Sequence, residues 1–175
     1  MKLMGYFPKR IEPRPDWLKA PSVIDICSVS ECVSEGPPDW INQWRHNEWW
    51  LYNSVQEALS VVPPAESDLY TMFAYRFEAA IYDGGKKETF DLPDFDIDPL
   101  SSDATTIGFD VVSRSCGSTF ECSPLSCNHM AEEIVVNPHC LLDTYEKAIE
   151  IALRFSIEEP EPGPFFVAEV ILLDR

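Results

Sequence analysis

Apolar residues fall in short runs cut by proline and glycine, and two of those runs align without a gap: Asn47-Glu-Trp-Trp-Leu-Tyr-Asn-Ser-Val-Gln-Glu-Ala-Leu59 and Asn137-Pro-His-Cys-Leu-Leu-Asp-Thr-Tyr-Glu-Lys-Ala-Ile149. Each reads as a short strand (Trp49 to Tyr52; His139 to Leu142), a cap and a helix. Asn53 and Asp143 offer N-cap oxygens, with Gln56 and Glu146 three residues on at the capping-box position. The apolar faces agree as well, with Val55, Ala58, Leu59 and Val62 matching Tyr145, Ala148, Ile149 and Ala152 at the i, i+3, i+4, i+7 period of a helix.

Around these blocks the pattern predicts strands. Residues 1–7 read as an edge strand ending at Pro8, and the prolines up to Pro21 make residues 8–21 a connector. Residues 23–30 are β-rich. Pro37-Pro38-Asp39-Trp40 opens a short helix carrying Trp40, Ile41 and Trp44. Residues 69–82 form a long aromatic strand, turned by Asp83-Gly84-Gly85 into a returning strand up to Leu92. An acidic linker follows to Asp103, then a strand over 105–115, a Cys- and Ser-rich loop over 116–128 and a short helix over 130–135. The second block's helix ends before Pro160, and Phe165 to Leu173 is apolar but for Glu169, as in a strand buried on both faces.

The expected architecture is α+β. It has two layers, with a mixed sheet carrying two helices on one face and the strands at 69–77 and 165–173 central. All 175 residues form a single domain, with the Pro-rich strand and connector over 1–21. Its two pseudo-repeated β–loop–β–α–β halves, about 22–92 and 105–175, share one core. Asp25-Ile-Cys-Ser-Val-Ser30 and Asp110-Val-Val-Ser-Arg-Ser115 share a D-x-x-S-x-S pattern that supports this pairing of the halves.

Charge narrows the function. The net charge is −17. Lys2, Lys9, Arg10, Arg14 and Lys19 outweigh Glu12 and Asp16 near the N-terminus, so the chain beyond residue 20 carries −20. A field of that sign repels nucleic-acid phosphates and steers basic proteins inward. No run approaches the ~18 apolar residues of a membrane helix, and Lys9-Arg10 interrupts the N-terminal run before it becomes a signal peptide. A cytoplasmic location with reduced cysteines is expected.

Candidate chemistry concentrates in four cysteines and two histidines between Cys116 and Cys140. Structural zinc would take Cys122, Cys127, His139 and Cys140, with Cys116 or His129 in reserve. An enzyme would use Cys127 as nucleophile and His129 or His139 as base, oriented by Asp110 or Asn128, or would pair Asp25 with Asp110 as acid and base. Asp94-x-Asp96-x-Asp98 fails as a calcium loop because Pro99 stands where glycine is needed and Thr105 where glutamate is needed. Gly-rich phosphate loops, G-x-S-x-G and H-E-x-x-H are absent from the sequence. The leading reading is therefore a small acidic non-catalytic binding protein, of inhibitor or immunity type, acting on a basic protein partner. Its anchor is Trp49 or Trp50 beside Arg45. The alternatives are a cysteine- or carboxylate-dependent enzyme and a zinc-stabilised scaffold.

Overall fold

The computed structural model describes residues 1–114 and 119–173. Its strands are β1 (Lys2–Lys9), β2 (Glu12–Pro13), β3 (Asp25–Ile26), β4 (Thr71–Phe77), β5 (Ala80–Asp83), β6 (Lys86–Thr89), β7 (Thr105–Ser113) and β8 (Phe165–Leu172). The helices are α1 (Val55–Leu59), α2 (Pro124–Cys127) and α3 (Tyr145–Glu158), with 3-10 turns at Trp40–Gln43, Pro64–Leu69 and Met130–Glu132. One sheet runs β1-β4-β8-β5-β6, with β7 on the other side of β8, and β2 pairs with β3 in a separate ribbon. Every pairing is antiparallel. The fold is thus α+β as expected, but the sheet is antiparallel rather than mixed. β4 and β8 are central, and the hairpin at Asp83–Lys86 forms as its glycines require.

Opposed residues in a ladder share a face, so the registers assign the faces. Tyr6, Ala74 and Ile171 lie on one side, together with Val111, Val167 and Phe165. Both α1 and α3 cover this side. Ile151, Ala152 and Phe155 of α3 share a buried cluster with Val111, Phe165 and Val167. Phe7, Phe73, Tyr75, Phe77, Ala168, Asp110 and Val112 point to the other side. That side is covered by loops rather than left open. Trp49 packs against Phe77 and Phe166 at 5.1 and 5.9 Å between ring centroids, and Phe120 stacks on Phe77 at 4.6 Å.

Several local expectations are corrected. Of residues 23–30 only Asp25–Ile26 form a strand, in the small ribbon with β2, and the backbone groups of Ser28, Val29 and Ser30 are taken by side chains of the main sheet, as described below. β1 continues through Pro8, which an edge strand tolerates since one side needs no N–H donor. The run Trp49–Tyr52 is a turn with Trp50 in the left-handed region at φ 61°. The 69–82 strand breaks at Glu78, whose side chain accepts from the Tyr82 and Tyr145 hydroxyls and from Lys87. Each cap lies one residue later than predicted. Ser54 and Thr144 accept from the Glu57 and Lys147 amides. The acidic linker is partly buried, with Phe95, Ile97 and Leu100 packed on the core.

Two loops are held in the same way. Asn47 Oδ1 accepts from the amides of Trp49 and Leu51, and its Nδ2 donates to the Met4 carbonyl. Asn137 Oδ1 accepts from the amides of His139 and Leu141, and its Nδ2 donates to the Ile107 carbonyl. Trp50 and Cys140, three residues on, have φ of 61° and 60°. The next segments pair reciprocally with the sheet, Tyr52 with Tyr6 and Leu142 with Phe109. Just before those contacts, Gly5 and Gly108 sit at bulges with φ of +141° and +148°. A Cβ there would fall 2.6 Å from the Tyr52 carbonyl or 2.7 Å from Leu141 Cβ, so only glycine lets the loop approach.

Candidate metal centre

The loop layer is pinned to the sheet by two buried charges. Lys9, fully buried on β1, donates to the carbonyls of Ser28, Val29 and Ser30. Burial pulls its pKa down to about 8, while Glu31 and Asp110 work against that fall. Asp110, fully buried on β7, accepts from Ser28 Oγ at 2.8 Å, the Val29 amide at 2.9 Å, Ser123 Oγ at 2.6 Å and the Val111 amide at 2.9 Å. Burial raises its pKa, and these donors from Ser123, Val29 and Ser28 oppose the rise. Both side chains spend their hydrogen-bonding capacity on backbone and hydroxyl groups of the loops, as buried charges must.

That pinning brings three cysteines together. Cys32 follows the segment bound by Lys9 and Asp110. Cys122 precedes Ser123 and is bridged to Ser113 of β7. Cys127 ends α2. Their sulfurs lie within 4.8 Å of one another, near the about 3.8 Å edge of a tetrahedron with 2.3 Å zinc–sulfur bonds. Cys122 is buried, Cys127 half-buried and Cys32 exposed, so the cluster reaches solvent on one side. Hydrogen bonds from the Cys122 and Cys127 thiols lower the pKa of Cys32, while the same contacts raise that of Cys122. Three converging sulfurs can hold a metal ion, and their softness suits zinc or a similar thiophilic cation.

Of the four ligands expected from sequence, Cys122 and Cys127 meet, while His139 and Cys140 do not join them. The third sulfur is Cys32, which sequence reasoning missed. It stands ninety residues before Cys122, outside any ligand-spacing pattern. Cys116 lies outside the described residues.

His139 instead faces Asp25, Nδ1 to Oδ1 at 2.7 Å, with Cys27 Sγ 3.9 Å from the same nitrogen. Together the three make a second group of metal-ligating side chains. Burial and then Asp25 push the Cys27 thiol pKa far up, and because both neighbours share one ring nitrogen there is no relay from carboxylate through imidazole to sulfur. Cys140 is buried, and its pKa is pushed up to about 12 by burial. His129 faces Glu132 at 2.9 Å and the Trp17 ring, not Cys127. Asn128 Oδ1 accepts from Cys122 Sγ, and its amide donates to Pro160 and Glu161. Asp25 and Asp110 are not hydrogen-bonded to each other: Asp25 bonds His139, whereas Asp110 bonds Ser28, Ser123 and the Val29 and Val111 amides.

The aromatic candidates also separate. Trp49 is buried, with the Arg114 guanidinium 4.9 Å from its ring, and Trp50 is half-buried against Trp40 and His46. Arg45 donates to Ser60 Oγ. Trp44 is the most exposed tryptophan among the described residues, 78 % accessible, and Trp17 is exposed as well. No helix among the described residues is long and apolar enough to cross a membrane. Comparison with known proteins finds no family model, no curated protein and no solved structure that matches this chain.

Proposed function

We propose that this chain is a non-catalytic binding protein whose loop layer is tied by a zinc-class ion on Cys32, Cys122 and Cys127. The convergence of three sulfurs from three separate segments carries the metal assignment. Metal binding displaces the thiol protons, so the ion would join the segments ending at Cys32, Cys122 and Cys127 more firmly than S–H contacts do. The test is elemental analysis of protein prepared without chelator, then loaded with zinc and dialysed. Wild type should hold about one zinc per chain, and Cys32→Ser, Cys122→Ser and Cys127→Ser should each lose it. No retained zinc, or full retention in Cys32→Ser, overturns the site.

The binding role rests on charge. The −17 surface attracts basic proteins before contact, and Trp44 beside Arg45 replaces Trp49 or Trp50 as the aromatic anchor. Association with a basic protein should slow steeply as salt shortens the ~10 Å Debye length, with dissociation changing less. An on-rate independent of salt contradicts this reading.

The halves read as copies of one unit, β1–loop–α1–β4 and β7–loop–α3–β8. This differs from the pairing expected from sequence, which took residues 23–30 as the counterpart of β7. The paired asparagines, glycines and positive-φ residues support it, and the registers add independent support. Gly5 pairs with Tyr75 and Gly108 with Val170, and Tyr75 and Val170 oppose each other across β4 and β8. Equivalent residues must meet in this way where a twofold axis passes between two antiparallel strands.

A further inference from the structure

Beneath the loop layer lies a small pocket walled by Phe7, Trp40, Trp50, Tyr75 and Phe120, with Glu31 at its side. Its walls stand at steep angles. Phe7 meets Trp40 edge-on at 4.7 Å and 76°, and Trp40 meets Trp50 at 6.2 Å and 87°. The Tyr75 hydroxyl is buried and has no hydrogen-bond partner among the described residues. Glu31 accepts from the Gly36 amide and Trp40 Nε1, both neutral, and forms no ion pair among the described residues. Burial raises its pKa, while Lys9 and the Trp40 bond oppose that rise. The Lys9 ammonium is itself occupied by three carbonyls.

An aromatic enclosure with one carboxylate and one unbonded hydroxyl matches a cation. The ring faces attract positive charge, the carboxylate neutralises it, and the hydroxyl oxygen accepts its N–H. The interior is about 20 Å³, and about 10–15 Å³ by that measure holds one water-sized group. A primary ammonium has that size, and a guanidinium or a trimethylated nitrogen is larger. Glu31 and Trp40 also line an outer cleft that carries Glu35 and Asp39, so negative charge continues outside the pocket.

We infer that this pocket takes a lysine side chain of a basic partner protein, its ammonium placed between Glu31 and the Tyr75 hydroxyl. The inference rests on the reading of the chain as a binder of basic proteins, and names the group by which the partner is held.

The test is an NMR titration of the zinc-loaded full chain with n-butylammonium, a lysine side-chain mimic, following the Trp40 and Trp50 indole N–H signals. Saturable shifts of both are expected. n-Butanol and n-butyltrimethylammonium should bind at least about 10-fold more weakly, as should n-butylammonium to Glu31→Gln. Tyr75→Phe removes only an unbonded hydroxyl, so it should fold as wild type does and still weaken binding. Equal shifts with n-butanol mark the pocket as merely apolar and overturn the inference. So does the absence of shifts with n-butylammonium, or unchanged affinity in both variants. A basic protein that binds wild type and Glu31→Gln with equal affinity, its on-rate still falling with salt, sinks the lysine pocket while leaving the acidic-surface reading in place.

Discussion

Replacing Asn137 and Asn47 by alanine, one at a time, probes the device that shapes both loops. Asn137 makes three side-chain hydrogen bonds, at 2.9, 3.1 and 2.8 Å, to His139, Leu141 and Ile107. At a net ~0.5–1.5 kcal/mol each, their loss amounts to about 2–4 kcal/mol, or a Tm lowered by roughly 5–12 °C for a chain of this size. Asn47 makes the same three contacts and adds one to Asn53 Oδ1 at 3.0 Å. Its alanine variant should therefore lose as much as Asn137→Ala or about 1 kcal/mol more. Asn137→Asp keeps the two accepted bonds but turns an oxygen toward the Ile107 carbonyl, so it should cost about 1–3 kcal/mol. Urea unfolding followed by tryptophan fluorescence and by circular dichroism measures all three. A loss below about 0.5 kcal/mol at either asparagine, or a large loss at one and none at the other, refutes the equivalence of the loops.

Two further predictions concern caps and charge. Ser54→Ala and Thr144→Ala should each destabilise by about 1 kcal/mol in the same assay, whereas Asn53→Ala should cost no cap bond. Lys9 has a folded pKa of about 8, below its ordinary 10.5. The unfolded chain therefore binds more protons between those values, and the cost of burying the ammonium is full below pH 8 and relieved toward pH 10.5. Wild type should gain on Lys9→Met by an amount on the order of 3 kcal/mol across that window, and a constant difference between them would contradict the buried charged lysine.

Much of the frame was legible because it follows from local chemistry. Asp83-Gly84-Gly85 fixed the β5–β6 turn, and the apolar run from Phe165, broken only by Glu169, marked β8 as central. The Asn47 and Asn137 blocks each fold as an asparagine-held loop leading into a helix, but a short apolar run such as Trp49–Tyr52 reads equally as a strand or as a buried turn, and tertiary contacts chose the turn. The caps slipped because Asn53-Ser54 and Asp143-Thr144 each offer two adjacent capping oxygens. Residues 23–30 have strand propensity, yet only Asp25–Ile26 pair as a strand, while the Ser28, Val29 and Ser30 carbonyls and the Val29 amide are satisfied by Lys9 and Asp110, side chains from two edges of the sheet. The same long-range pinning delivers Cys32 to Cys122 and Cys127, and no spacing rule reaches across ninety residues.

Zinc K-edge X-ray absorption on the zinc-loaded chain tests the thiolate centre most directly. The account predicts three sulfur scatterers at about 2.3 Å, reduced in number or lost in Cys32→Ser. A first shell dominated by nitrogen and oxygen at about 2.0–2.1 Å, carrying imidazole scattering from His139, would put the metal at Asp25, Cys27 and His139 and contradict it.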